Sequence, residues 1–167
     1  TAQGMAICFN ENDVRCMGRD AAGVRGITLS EGDFVIGAEK MEEGKTLLTI
    51  TENGYGKRTE LPEYLRTGPD GEKIPQSRGG KGLKNYNITP KTGNIAGCRV
   101  VGDNDDVMII ENGGVIIRVP AASINVYKRD VQGVIVMRVD EGNKVVSIER
   151  VEAEEAQETQ ETQEKPE

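Results

Sequence analysis

Gln76-Ser77-Arg78-Gly79-Gly80-Lys81-Gly82 places three glycines and two cations within seven residues of a 167-residue chain. Backbone without Cβ atoms can come close to a polyanion, and arginine and lysine can pair with its phosphates. Lys57, Arg58, Arg66, Lys73, Lys84 and Lys91 surround the stretch, so residues 55–91 carry eight cations against Glu60, Glu63, Asp70 and Glu72. A basic island therefore sits in a chain whose formal net charge is −7. The same composition also suits a plain surface turn between strands. A nucleotide-binding P-loop is ruled out because glycine, not Ser or Thr, follows Lys81. Gly79 to Gly82 satisfies the GXXG of a KH domain, but that loop joins two helices and the flanks here have no helical period.

Outward from the heptad, the chain repeats itself. Gly23, Gly82 and Gly133 each precede an aliphatic residue, and an arginine stands four positions before each: Arg19, Arg78 and Arg129. The turns Gly32-Asp33, Gly93-Asn94 and Gly142-Asn143 follow those glycines by 9, 11 and 9 residues. Upstream, Glu11-Asn12, Glu52-Asn53 and Glu111-Asn112 read as equivalent first turns, with Arg15, Arg58 and Arg118 on the strand that follows. Short apolar runs between these turns predict four strands per unit: Ala6 to Phe9, Val14 to Met17, Val24 to Leu29 and Phe34 to Ala38 in the first. The units are residues 1–45, 46–104 and 105–151, the middle one enlarged by an insertion near Thr67 to Gly71. Tandem four-stranded antiparallel units of this length predict an all-β, propeller-like array. Three blades do not close a ring, so the chain reads as part of a longer repeat, and its first blade is expected to expose an apolar face.

With no Trp, two Phe and 21 Gly, the composition favours many short strands and tight turns. Cys8, Cys16 and Cys98 lack the paired spacing of a zinc site and read as small thiols in a reducing compartment. No apolar run is long enough to cross a membrane and no signal pattern opens the chain, which points to the cytoplasm. The absence of His removes the usual proton-transfer group, and no nucleophile stands beside a base. The fragment by itself is read as non-catalytic, with no metal site.

The chain resembles the C-terminal part of the A subunit of bacterial DNA gyrase. The resemblance rests on Gln76 to Gly82, which fits that family's glycine-rich box, and on Glu52-Asn53-Gly54-Tyr55-Gly56-Lys57-Arg58-Thr59. Asn12-Asp13-Val14-Arg15, Met17-Gly18-Arg19 and Gly23-Val24-Arg25-Gly26 add to it, and the likeness covers residues 4 to 151. It implies a six-bladed β-pinwheel whose blades exchange strands and whose basic rim wraps duplex DNA. It implies partners too: the remainder of the gyrase A subunit, and the gyrase B subunit, in a heterotetramer that supercoils DNA negatively. ATP and magnesium would be used by other regions, leaving this fragment without a cofactor of its own. Tyr55, Tyr64, Tyr86 and Tyr127 read as packing residues, since the breakage-reunion tyrosine belongs to a region outside this chain.

Candidate DNA-contacting residues are Gln76, Arg78, Gly79, Gly80, Lys81, Gly82 and Lys84, with Lys57, Arg58, Arg15, Arg19, Arg25, Arg118 and Arg129. Spread over successive units, these cations could follow the phosphates of a bent duplex without reading bases. The equivalent domain of topoisomerase IV and a protein-binding propeller scaffold are the alternatives. Residues 152–167 carry seven Glu and one Lys and almost no apolar side chain, the composition of a disordered tail. Such a tail is either solvated and idle or a polyanion that competes with DNA for the basic rim. Removing residues 152–167 separates the two: a competing tail gives tighter DNA binding once deleted, whereas an idle one leaves affinity and salt dependence unchanged.

Overall fold

Thr46 to Thr51 reads Thr-Leu-Leu-Thr-Ile-Thr, a run without Gly or Pro that suits a strand covered on both faces. In the computed structural model, which describes residues 1–151, five of its six residues are buried. In chain order the strands are β1 (Met5–Ala6), β2 (Thr46–Thr51), β3 (Tyr55–Glu60), β4 (Arg66–Thr67), β5 (Lys73–Ile74) and β6 (Leu83–Lys84). They continue with β7 (Ile95–Val101), β8 (Asp106–Glu111), β9 (Ile116–Pro120), β10 (Val134–Ile135) and β11 (Val145–Val151). One sheet runs β10-β3-β2-β7 and a second β11-β8-β9, while β1 pairs with β6 and β4 with β5. Every strand pair in these sheets is antiparallel.

The core lies between the two larger sheets. Leu48 and Ile50 from β2 meet Val107 and Ile109 from β8 and Val145 and Ile148 from β11, with Val101, Ala121, Ile124 and Met137 completing the cluster. Leu48 and Ile50 share one face of β2 because side chains alternate along a strand. Gly97 on β7 admits β11: a Cβ there would stand 2.8 Å from Ile148 Cγ1. Arg99 and Glu149 close the same contact with an ion pair at 2.9 Å. β7 and β11 are thus neighbours at the inner edges of adjacent blades, and β10 is the outermost strand of its sheet.

The four-stranded unit expected from sequence is corrected in its connectivity. After β3 the chain makes a 3-10 turn, Leu61–Tyr64, then the β4–β5 ribbon, which pairs only with itself, and β6 docks on β1 of the preceding unit. Likewise β10, from the third unit, completes the sheet of the second. The outer strand of each sheet is therefore supplied by the following repeat. No strand occupies that place beside β9 among the described residues, and Ile116 there is 56% exposed.

The register of the first unit is also corrected. Positive φ recurs at Gly4, Gly54 and Gly114, at Gly23, Gly82 and Gly133, and at Gly32, Gly93 and Gly142. Gly4, not the Glu11-Asn12 pair, matches Gly54 as the first turn; Glu11–Asp13 is the 3-10 turn that follows the strand. Arg15 thus has no strand equivalence with Arg58 and Arg118. Only Met5–Ala6 forms a strand in this unit, and the predicted strands at Val14 to Met17, Val24 to Leu29 and Phe34 to Ala38 are not formed. Those segments have only scattered backbone partners, such as Thr28 N–H on the Gly80 carbonyl and Ala2 N–H on that of Phe34, and no continuous ladder alongside that would make them strands. Phe34 (58% exposed) and Val35 lie open, the apolar exposure expected of the first blade. The acidic stretch 152–167 lies outside the described residues.

Strand exchange depends on the glycine that begins each outer strand. A Cβ on Gly133 would stand 2.4 Å from the Gly56 carbonyl oxygen and 2.7 Å from the Tyr86 hydroxyl, at φ +77°. Gly142 has a comparable φ of +85° with nothing within 4 Å. Gly142→Ala is expected to cost roughly 1–3 kcal/mol of backbone strain, and Gly133→Ala distinctly more, because the strand itself must shift. Urea midpoints report the difference, with hydrogen-exchange protection lost at β10 before β8. Equal midpoints would contradict the docking role.

Candidate nucleic-acid interface

The three arginines of the repeated motif occupy equivalent turns: Arg19-Asp20, Arg78-Gly79 and Arg129-Asp130. The Arg78 turn is sewn to the preceding unit. Arg78 Nη1 donates to the Arg25 carbonyl at 2.5 Å and Nε to the Asp13 carbonyl at 3.1 Å. Gly79 N–H donates to the Gly26 carbonyl at 2.8 Å, and Gln76 N–H to that of Cys8 at 2.7 Å. Arg129 repeats the arrangement one unit later, its Nη1 donating to the Lys84 carbonyl at 2.9 Å. Arg25 and Lys84 each lie two residues beyond a motif glycine, Gly23 and Gly82. Arg78 and Arg129 therefore each clasp the corresponding segment of the unit before them.

These contacts use only part of each guanidinium. Five N–H donors in a planar fork leave Arg78 Nη2, and Arg129 Nε and Nη2, free for phosphate. Both arginines are half-buried, and neither is in an ion pair among the described residues. Arg19, Arg25 and Arg15 are exposed, as are Lys81 and Lys84. Lys84 Nζ donates to Asn87 Oδ1 at 2.9 Å, and Gln76 Nε2 to the Tyr64 carbonyl at 3.2 Å. Gly82 (φ +76°) brings the box against the Ala6 carbonyl, where a Cβ would lie 2.4 Å from the oxygen. Gly80 approaches Ser77.

Three sequence candidates leave this surface. Lys57 is fully buried: Nζ donates to the Lys128 carbonyl at 2.7 Å and to that of Arg129, and sits 5.1 Å from the Tyr86 ring centre. Arg58 is 6% exposed, with Nε on the Ile124 carbonyl at 2.7 Å and Nη1 on Asp103 at 2.5 Å. Arg118 on β9 is half-exposed but held to Asp106 at 2.7 Å. Lys57 and Arg58 were legible as cations beside the box, yet the carbonyls that hold Lys57 Nζ and Arg58 Nε come from the exchanged third-unit loop running from Ile124 to Arg129. No composition signal separates a buried lysine from a rim lysine. Sequence likewise missed the polar packing under the box, where Tyr64 donates to Asn85 Oδ1 at 2.5 Å and Asn85 to Thr49 Oγ1 at 3.3 Å.

Lys45, Arg58, Arg99, Arg118, Lys144 and Arg150, on the large sheets and the loops that join them, are paired with carboxylates. Arg78, Lys81, Lys84 and Arg129, on the exchanged segments, and Arg15, Arg19 and Arg25 in the first unit have no ion pair among the described residues; nor do Lys40, Lys57, Lys91 and Arg138, which lie elsewhere. The repeated contact places Arg25 beside Arg78 and, one unit later, Lys84 beside Arg129.

The family described as DNA gyrase C-terminal domain, beta-propeller, matches residues 1–40, 45–102 and 105–152. This chain belongs to that family. The DNA gyrase A subunit of Staphylococcus epidermidis (strain ATCC 12228 / FDA PCI 1200) is 40% identical over 90% of this chain and 16% of its own length. The A subunit of Escherichia coli (strain K12) gyrase is 37% identical over the same shares. The chain therefore spans about a sixth of the length of these curated relatives. Among solved structures, a DNA gyrase A C-terminal domain superposes with a TM-score of 0.78 at 27% identity, covering 89% of this chain and 48% of that one. The C-terminal domain of a DNA topoisomerase IV gives 0.79 at 26% identity, covering 91% and 45%. The family's β-propeller accords with the antiparallel sheets seen here.

Burial pushes the Lys57 ammonium down to about 8, with the Asp130 charge opposing the shift and that of Arg129 adding to it. Between that value and the ordinary lysine range near 10.4 the unfolded chain holds a proton that the folded chain has lost, so stability rises with pH across this window. One such proton contributes up to about 1.4 kcal/mol per pH unit. Tyr64 and Tyr86 are pushed up by burial and act in the opposite sense, but only above about pH 10. Lys57→Met is expected to flatten the stability rise between pH 8 and 10 in urea titrations. A variant profile parallel to the wild type over that window would overturn the assignment.

Proposed function

We propose that this chain binds and wraps duplex DNA along its outer edge, as the DNA-handling part of a gyrase A subunit engaged in ATP-dependent negative supercoiling. The observation that most supports this reading is that two equivalent exchanged segments carry Arg78, Lys81, Lys84 and Arg129, none of them in an ion pair among the described residues. A phosphate-directed surface needs donors that repeat in space and are not already neutralised. Arg78 and Arg129 have a double task in this reading: each clasps a neighbouring unit and offers its remaining N–H groups to phosphate. Lys81, Lys84, Arg25, Arg19 and Arg15 supply charge without a structural commitment to carboxylates. Gly79, Gly80 and Gly82 allow close approach.

Bending 20–30 bp of duplex costs on the order of 1–6 kcal/mol, and counterion release at many phosphates offsets it. The full assembly would add the rest of the gyrase A subunit and the gyrase B subunit, acting in the cytoplasm, with ATP and magnesium bound elsewhere. A topoisomerase IV domain is the second reading, favoured by the similar superposition on that domain; the complete heptad from Gln76 to Gly82 favours gyrase. The sense of writhe imposed on circular DNA distinguishes the two.

The association constant for random-sequence duplex is expected to fall steeply with salt and to vary little with sequence. Lys81→Ala and Arg25→Ala should each make the log–log salt slope shallower by about 1, whereas Arg118→Ala should leave it unchanged. Salt-independent binding, or a slope altered by Arg118→Ala but by neither of the others, would refute the rim.

A further inference from the structure

The glycine landmarks show that the middle unit alone is enlarged. Gly4 to Gly23 and Gly114 to Gly133 both span 19 residues, whereas Gly54 to Gly82 spans 28. The excess of nine is Leu65 to Lys73. In the third unit, buried Ile124 is followed directly by Asn125, whose carbonyl accepts from Arg58 N–H; in the second, buried Tyr64 and Ile74 are separated by those nine residues. They fold as a two-stranded ribbon, Arg66 opposite Ile74 and Thr67 opposite Lys73.

We propose that this β4–β5 ribbon enters the major groove of the bound duplex and grips the phosphates of both walls, an inference that rests on the DNA-binding reading above. Opposite residues of an antiparallel pair share a face and successive residues alternate, so Arg66 and Lys73 project from opposite faces. That is the arrangement a ribbon needs to reach two phosphate walls at once. Neither cation has an ion pair among the described residues: Arg66 Nε donates to the Pro75 carbonyl at 3.3 Å and Lys73 Nζ to Thr67 Oγ1 at 3.3 Å, both neutral acceptors.

Shape selects the groove. A ribbon with side chains on both faces is about 10 Å thick, which fits a major groove about 12 Å wide and not a minor groove of about 6 Å. Three or four extended residues reach about 10–13 Å, beyond the groove depth of about 8.5 Å. The tip is closed by Gly71 N–H to the Gly68 carbonyl at 3.1 Å and Gly68 N–H to the Glu72 carbonyl at 2.8 Å. Its carboxylates, Asp70 and Glu72, would lie between the walls, where cytosine amino groups are the available donors. The root is anchored to the glycine-rich box, because Pro75 leads into Gln76, which is bonded to both Cys8 and Tyr64.

Two variants of the full chain test the ribbon. One deletes Leu65 to Lys73, joining Tyr64 to Ile74 as Ile124 joins Asn125; the other is Arg66→Ala with Lys73→Ala, which keeps the ribbon and decides alone if the deletion fails to fold. Both are expected to bind random duplex with a log–log salt slope shallower by about 2, and to lose protection of guanine N7 from dimethyl sulfate at one groove. An unchanged slope and an unchanged methylation pattern would overturn the proposal. A shallower slope with N7 protection retained would overturn groove entry and leave only contacts to the outside of the duplex. If the wild-type chain itself shows no salt-dependent DNA binding, the rim reading falls and the ribbon falls with it; wild-type binding with indifferent variants removes the ribbon alone.

Discussion

Each outer strand can dock only because its first residue has no side chain. Gly82 lies against the Ala6 carbonyl and Gly133 against that of Gly56, both at positive φ and both at distances that a Cβ could not share. Once the strand crosses to its neighbour, the loop before it is carried to the edge of the sheet next door. The motif arginine then finds the carbonyls of that neighbour, and adjacent repeats become one body. Repeat proteins owe their stability to such nearest-neighbour contacts more than to any single unit. Here the contact is made by the same segment that presents the positive charge.

This coupling explains how the cations divide. A charge drawn under the exchanged loop loses its solvent and must be met by carbonyls, as Lys57 is by Lys128 and Arg129, or by a carboxylate, as Arg58 is by Asp103. A charge on the crossing segment stays at the edge, with most of its donors unspent. Binding of a polyanion at that edge and integrity of the array are therefore not independent properties. An arginine replaced there loosens two units as well as removing one donor, so a lysine such as Lys81 is the cleaner probe of charge alone.

The unfilled ends follow from the same rule. β9 offers an outer edge to a strand from a following unit, and Gly23, already at φ +80° with nothing within 4 Å of a Cβ, has the conformation of Gly82 and Gly133 without the carbonyl to dock on. The first unit is correspondingly poor in strands. A blade is completed by its neighbour, and Phe34 and Ile116 are exposed where no strand pairs alongside among the described residues.

Much of this was legible in the chain before any coordinates. Spacing of Arg19, Arg78 and Arg129 from their glycines gave the threefold repeat, and short apolar runs between Gly-rich turns gave the all-β class, because strand propensity and glycine's access to positive φ are local properties. Which sheet a strand joins is not local. Two-residue strands such as Leu83–Lys84 and Val134–Ile135 look alike whether they pair within their own unit or the one before, so exchange was an expectation of the family resemblance and of no pattern in the residues themselves. The first unit was misread for a related reason: Glu11-Asn12 imitates the turn at Glu52-Asn53, while Gly4, the true counterpart of Gly54, stands too close to residue 1 to show a pattern. Burial of Lys57 and the pairing of Arg118 were decided by the fold alone, since a lysine's surroundings are set by segments seventy residues away along the chain.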